Sequence, residues 1–130
     1  MNIPASHRDI LEGKNFAHIA TLMPDGTPQV TPVWIDLEGD AVLFNTAVGR
    51  QKDRNLKRNP AVAISCHDQE NPYRYIQIRG TVIGTSTEDA DAHIDKMAKK
   101  YTGADTYGNR RPGEQRIIYR IKADHIQVMG

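Results

Sequence analysis

AVLFNTAVGRQKDRNLKRNP, residues 41–60, is the stretch whose reading decides the fold. An apolar run ends in Asn45-Thr46, Gly49 follows, and a short basic segment opens with Arg50 and Lys52. That order is a strand feeding a helix N-terminus. The first amide N–H groups of a helix have no partner within it and carry partial positive charge, so they favour anions. Two cations beside those amides make phosphate the natural ligand. The competing reading is a solvated cationic helix face, and the strand-then-helix placement favours phosphate over it. The chain around this segment is too small and too β-rich for a nucleotide-hydrolysing fold. The segment therefore reads as the anchor for a phosphorylated cofactor. Arg54, Lys57 and Arg58 lie farther from the helix start and read as surface charges.

The 130 residues suffice for one domain, spanning 1–130, and are too few for two. A net charge of +1 gives no global field to recruit nucleic acid or a membrane surface. The lone Cys66 cannot form an intrachain disulfide, which suits a cytoplasmic setting, and within its apolar run it reads as a small buried hydrophobe. No stretch has the ~20 apolar residues of a membrane span, and no signal-peptide pattern opens the chain.

Ser6 and Asp9 resemble a capping box that opens a short helix ending near Gly13. Residues 16–22 read as a strand, 23–26 (MPDG) as a turn, 29–37 as a second strand and 41–46 as a third, giving an antiparallel meander on short loops. The basic helix spans 50–58 and stops before Pro60. Residues 61–67 form a buried strand and 73–84 a long one, in which Gly80 marks a bulge or a close backbone approach. Ser86 or Thr87 caps a helix whose Ala90, Ile94, Met97, Ala98 and Tyr101 follow helical spacing, with Gly103 as its C-cap. Residues 104–114 form a polar loop, and strands 116–121 and 125–129 close the sheet. The expectation is a mainly β (α+β) fold: a barrel-like sheet of six to seven antiparallel strands with about three peripheral helices.

The remaining constellations are bland. The five histidines are scattered without metal-ligand spacing, so no metal site is expected. No GxGxxG, GxSxG or ordered Ser/His/Asp set is present. Asp89, Asp91 and Asp95 read as a solvated helix face. Trp34 fits core packing and the lining of a pocket for a flat ring equally well. Pro32, lacking an N–H, belongs where no ladder bond is required.

With these pieces in place, the chain resembles the split β-barrel flavin-binding superfamily, the pyridoxamine-phosphate-oxidase-like proteins, and within it the small reductases that use the deazaflavin coenzyme F420. The carriers of the resemblance are TLMPDGTPQVTPVWI (21–35), LFNTAVGRQKDRNLKRNPAVAIS (43–65), YIQIRGTV (75–82) and HIDKMAKKYTG (93–103). It implies a split β-barrel of the FMN-binding type and a homodimer with cofactor sites at the subunit interface. Gln29, Val30, Thr31, Pro32 and Val33 would run along the ring system. Asn45 and Thr46 would flank the ring and its side chain, and Arg50, Gln51 and Lys52 would hold the phosphate. Tyr75, Gln77 and Arg79 would lie near the partner's cofactor. Asp53 departs from the small or hydroxyl residue of many relatives. It is expected to point away and pair with Lys57. Pyridoxamine phosphate oxidases carry a longer C-terminal tail for the substrate phosphate, so that reaction is not the expected one.

The resemblance implies an oxidoreductase in which reduced coenzyme F420 transfers a hydride to an unsaturated small molecule, with no protein nucleophile and no identified catalytic residue. The alternatives are an FMN-dependent oxidoreductase on the same fold and a carrier of flavin, haem or tetrapyrrole without turnover. The acidic tail of the deazaflavin gives extra cations such as Arg54, Lys57, Arg110 and Arg111 a possible partner. Solvated surface is an equal reading of them.

Overall fold

The computed structural model describes residues 1–130. Seven strands make one antiparallel sheet: β1 (Ala17–Leu22), β2 (Pro28–Val33), β3 (Asp36–Glu38), β4 (Ala41–Ala47), β5 (Ala61–His67), β6 (Tyr75–Ser86) and β7 (Arg116–Met129). Their order is β2-β1-β5-β6-β7-β4-β3. Three helices accompany them: α1 (Arg8–Glu12), α2 (Gln51–Arg58) and α3 (Ala90–Thr102). The inner face is apolar, with Ile19, Ile64, Ile76, Ile78 and Ile121 fully buried. Phe44 and Tyr119 stack there at 5.3 Å between ring centroids.

The expected meander does not form, and the sheet does not close. Residues 29–37 are two strands at opposite edges: β2 pairs with β1, while β3 pairs with β4. The break falls at Trp34-Ile35, where the backbone takes its partners from α3. The Ile35 N–H donates to the Tyr101 hydroxyl at 2.9 Å, and Lys100 Nζ donates to the Ile35 carbonyl at 2.7 Å. With those groups satisfied by side chains, the chain leaves one edge and rejoins the sheet at the other. The result is a split barrel.

The two expected C-terminal strands are one, β7, with a bulge. Arg79 faces His125 and Gly80 faces Ala123, so Asp124 is the extra residue. Its carboxylate accepts from the Thr81 hydroxyl at 2.6 Å. The bulge presses β7 onto β6: a Cβ at Gly80 would overlap the Lys122 carbonyl, whereas one at Gly84 meets nothing. Gly80→Ala should therefore cost roughly 1–2 kcal/mol of stability. Gly84→Ala should cost little, and chemical denaturation of the two variants checks both.

The helix caps differ from the expected ones. His7 precedes α1 and no side chain caps it. Asp9 instead takes both guanidinium nitrogens of Arg74, at 2.6 and 2.9 Å, a bidentate charge-assisted pair that outcompetes a capping bond. At α3 the N-cap is Asp89, and the Ser86 hydroxyl donates to its carboxylate at 2.7 Å. Gly103, with φ +81°, ends α3 in the left-handed conformation glycine favours. Cys66 is fully buried and burial pushes its thiol up to about 11, which makes it an inert hydrophobe. No helix is long and apolar enough to cross a membrane.

Candidate cofactor site

The turn between β4 and α2 sets the site. Gly49 has φ +91°, and Arg50 follows in extended conformation as the N-cap of α2. The first helical bond runs from the Arg54 N–H to the Arg50 carbonyl at 3.0 Å. The N–H groups of Gln51, Lys52 and Asp53 precede it, and face outward from the helix end without intrahelical partners.

Asp53 is the one acid in this turn, and it is turned into the protein. Its carboxylate accepts from the Gly49 N–H at 2.8 Å, the Lys57 ammonium at 3.1 Å and the Tyr119 hydroxyl at 2.5 Å. The Lys57 pair is the one the spacing suggests. The Gly49 and Tyr119 contacts make Asp53 the internal clamp of the turn. Burial pushes its carboxyl up, but these three donors outweigh burial and hold it below the ordinary value.

Lys52 is the reverse case. It is 8% exposed, and its ammonium donates to the Thr31 hydroxyl on β2. No carboxylate pairs with it, and burial pulls its pKa down. Burying an uncompensated cation is costly. Beside it, the side-chain carbonyl of Gln29 is buried with no hydrogen-bond partner. Lys52 and Gln29 both line one cavity of about 470 Å³ between β2, β4 and α2.

That cavity takes in Gln29, Thr31, Pro32, Val33, Asn45, Thr46, Arg50, Gln51 and Lys52. Gln29, Thr31 and Val33 alternate with Val30, whose side chain is exposed and lines none of it. Tyr75, Gln77 and Arg79 are elsewhere in the subunit, on β6, separated from β2 by β1 and β5. Arg79 lines a different, mostly apolar hollow of about 510 Å³ with Ala20, Ala63 and His125. Arg54 reaches the Gly49 carbonyl at 3.0 Å, and Arg110 is committed to Asp91 and Asp95 at 3.1 and 2.6 Å.

Several contacts around the site had no signal in the sequence. Asn45 is fully engaged as a donor: its amide gives hydrogens to the Ala90 carbonyl at 2.9 Å and to His93 Nδ1 at 3.1 Å. Its Oδ1 accepts from Arg116 Nε at 2.9 Å. His93 Nε2 meets the Asp36 carboxylate at 3.0 Å, which fixes the ring as the tautomer that accepts at Nδ1. Asp36 is half-buried, which raises its carboxyl, but His93, the Leu37 N–H and Lys96 bring it down to about 2. Glu114 bridges Arg50 at 3.1 Å and Arg116 at 2.8 Å. Burial raises its carboxyl, and the arginines, Arg116 foremost, more than reverse that. Trp34 stacks on Tyr101 at 5.3 Å and 6°, and borders a second hollow of about 250 Å³. No three His, Cys, Asp or Glu side chains converge as a metal would require.

The residues present fit a flavin-like group with a phosphate. Lys52, Arg50 and the free amides of α2 offer charge to an anion, and the Gln29 carbonyl offers an acceptor to a ring N–H. The chain is similar in sequence and fold to known proteins. A "Pyridoxine/pyridoxamine 5'-phosphate oxidase" of Rhodopseudomonas palustris strain HaA2 is 32% identical over 107 residues, 81% of this chain and 50% of that protein. Another, of Ralstonia nicotianae, is 32% identical over 113 residues, 85% of this chain and 53% of its own length. The chain thus spans about half the length of these curated relatives. An F420 reductase of known structure superimposes with a TM-score of 0.84 at 35% identity, covering 96% of this chain and 98% of that one. A conserved hypothetical protein of Mycobacterium tuberculosis shares the fold, with a TM-score of 0.76 at 21% identity, covering 99% of this chain and 85% of its own. The sequence profile of the pyridoxamine 5'-phosphate oxidase family matches residues 3–130, and the chain belongs to that family.

Proposed function

We propose that this protein is a reductase that uses coenzyme F420 to deliver a hydride to an unsaturated small molecule, and that it works as a homodimer. The observation that carries the reading is Lys52: a buried cation with no acid partner, beside free helix amides and the orphaned Gln29 carbonyl. Deazaflavin is favoured over FMN by the F420 reductase, which matches nearly end to end, whereas the curated oxidases match over half their length. The cofactor, when bound, supplies the hydride. The chain's own part is binding and placement. Lys52, Arg50 and the α2 amides hold the phosphate, Gln29 accepts from the ring, and Pro32 and Val33 exclude water from one wall.

The second reading is FMN, for which the same phosphate anchor suffices. The family membership and the curated relatives favour it. Incubating the protein with reduced F420 and a panel of conjugated acceptors separates the two. Acceptor-dependent oxidation of F420, without turnover of reduced FMN, is expected. Turnover with FMN alone would reverse the assignment, and tight binding of either with no hydride transfer would make the protein a carrier.

The homodimer reading is supported by the outer sheet face. Val30 and Ile83 are each 59% exposed there, and the hollow beside Arg79 is apolar. A second copy laid on this face would bring Tyr75, Gln77 and Arg79 toward the partner's cofactor. Sedimentation should give a dimer. A monomer that binds cofactor at full affinity would count against it.

A further inference from the structure

We infer that the 250 Å³ hollow next to the phosphate cavity is the acceptor subsite and takes a planar, conjugated carboxylate. The inference rests on the reductase reading above and adds a substrate class to it. The two cavities share Pro32, Val33, Asn45 and Arg50, so a molecule in one abuts a molecule in the other.

The walls of the smaller hollow are flat and held in place. The indole of Trp34 is backed by Tyr101 at 5.3 Å, nearly parallel. The Tyr101 hydroxyl is itself fixed, accepting from the Ile35 N–H at 2.9 Å and donating to the Asn15 carbonyl at 2.7 Å. Tyr107 stands at 84° to Trp34, and its backbone N–H is tied to Asp95 at 2.8 Å. Such a rigid aromatic corner selects flat molecules at low entropic cost. The volume falls below the 300–1,000 Å³ typical of drug-sized sites, which points to one or two rings.

The charge of the hollow is positive. Arg50 and Arg116 both line it and share the single carboxylate of Glu114, at 3.1 and 2.8 Å. Arg50 is shared with the phosphate cavity, where Lys52 and the α2 amides stand beside it, so Arg116 is the guanidinium left to this hollow alone, and guanidinium matches a carboxylate in geometry. Asn45 cannot serve instead, because both its amide hydrogens are given to Ala90 and His93. Arg50 and Arg116 are the cations that line this hollow and that a ligand carboxylate can meet there.

Trp34 is the only tryptophan and lines this hollow, so its emission is read against a cofactor-free and a cofactor-saturated baseline. The test is a titration of the protein with three probes: trans-cinnamate, flat and anionic; cinnamyl alcohol, flat and neutral; and 3-cyclohexylpropionate, anionic and puckered. Cinnamate should change the Trp34 emission saturably, and bind about tenfold more tightly than either of the others. It should leave bound FMN in place, read by the flavin's own emission. Tyr107→Ala should weaken cinnamate about tenfold and leave FMN affinity unchanged. Equal affinities for the three probes would overturn the inference. So would displacement of FMN by cinnamate, or loss of cinnamate binding in Lys52→Met, since either places the carboxylate in the phosphate cavity. If neither FMN nor F420 binds while cinnamate still saturates Trp34, the cofactor reading fails and the carboxylate site stands.

Discussion

Lys52→Met is expected to make the unliganded protein more stable and the cofactor complex weaker. In the free protein Lys52 is a buried cation held only by the Thr31 hydroxyl. Replacing it with an apolar chain of similar length removes a desolvation cost and should add about 0.5–2 kcal/mol of stability. The same change should cost about 1.5–3 kcal/mol of binding to a phosphorylated cofactor, the range for a hydrogen bond to a charged group. The opposite signs are the diagnostic. A lysine kept for structure would lose stability on removal, and a solvated lysine would change neither quantity. Arg50→Ala should also weaken binding, less than additively with Lys52, because both would hold one phosphate. Thermal unfolding with and without FMN measures both effects.

The pH dependence has a defined sign. Burial lowers the pKa of Lys52 in the free protein, and an anion beside it favours the charged form and raises it again. Binding therefore takes up a proton once the pH exceeds the lowered value. Affinity should fall as pH rises from there toward the ordinary lysine range, and Lys52→Met should flatten that fall. Titration calorimetry in buffers of different ionisation enthalpy detects the proton directly.

Asp53→Ala should be the most damaging single change to the fold at this site. It removes the carboxylate acceptor at 2.5 Å from the buried Tyr119 hydroxyl, which keeps only the Asp53 backbone carbonyl at 3.2 Å, and it exposes the Gly49 N–H to water. Losing these charge-assisted bonds should cost about 1–3 kcal/mol. Denaturant unfolding checks it. The loss should be accompanied by weaker cofactor binding, because the Gly49 turn places Arg50 and Lys52. Asp53 also gives stability a pH dependence. Its folded pKa lies below the unfolded value, so its contribution is complete above the ordinary carboxylate range and is lost as pH falls through it. Asp53→Asn should reduce that acid sensitivity while costing less stability than alanine.

What could be read from sequence was what is local. The order apolar run, Gly49, Arg50, Lys52 lies within one strand, one turn and the start of one helix, and the structure has those three elements at those residues. The alternation of Gln29, Thr31 and Val33 likewise marks one face of β2. What escaped depends on partners far along the chain. The split between β2 and β3 is made by Tyr101 and Lys100, 66 and 65 residues from Ile35. The burial of Asp53 depends on Tyr119, 66 residues away, and the orientation of Asn45 on His93, 48 residues away. Glu114, which holds both Arg50 and Arg116, ends a polar loop with no periodicity to signal its role. The absence of a partner for Lys52 is a property of the packed protein and has no sequence signature.

The phosphate anchor is tested most directly by one comparative equilibrium titration of the purified protein, with F420, FMN and the phosphate-free forms of both chromophores. F420 should bind most tightly and FMN more weakly. Each phosphate-free form should bind about ten- to a hundredfold more weakly than its phosphorylated parent, the factor equivalent to 1.5–3 kcal/mol. If the phosphate-free forms bind as tightly as their parents, Lys52 is not a phosphate anchor, and the assignment of a phosphorylated cofactor to this cavity is wrong.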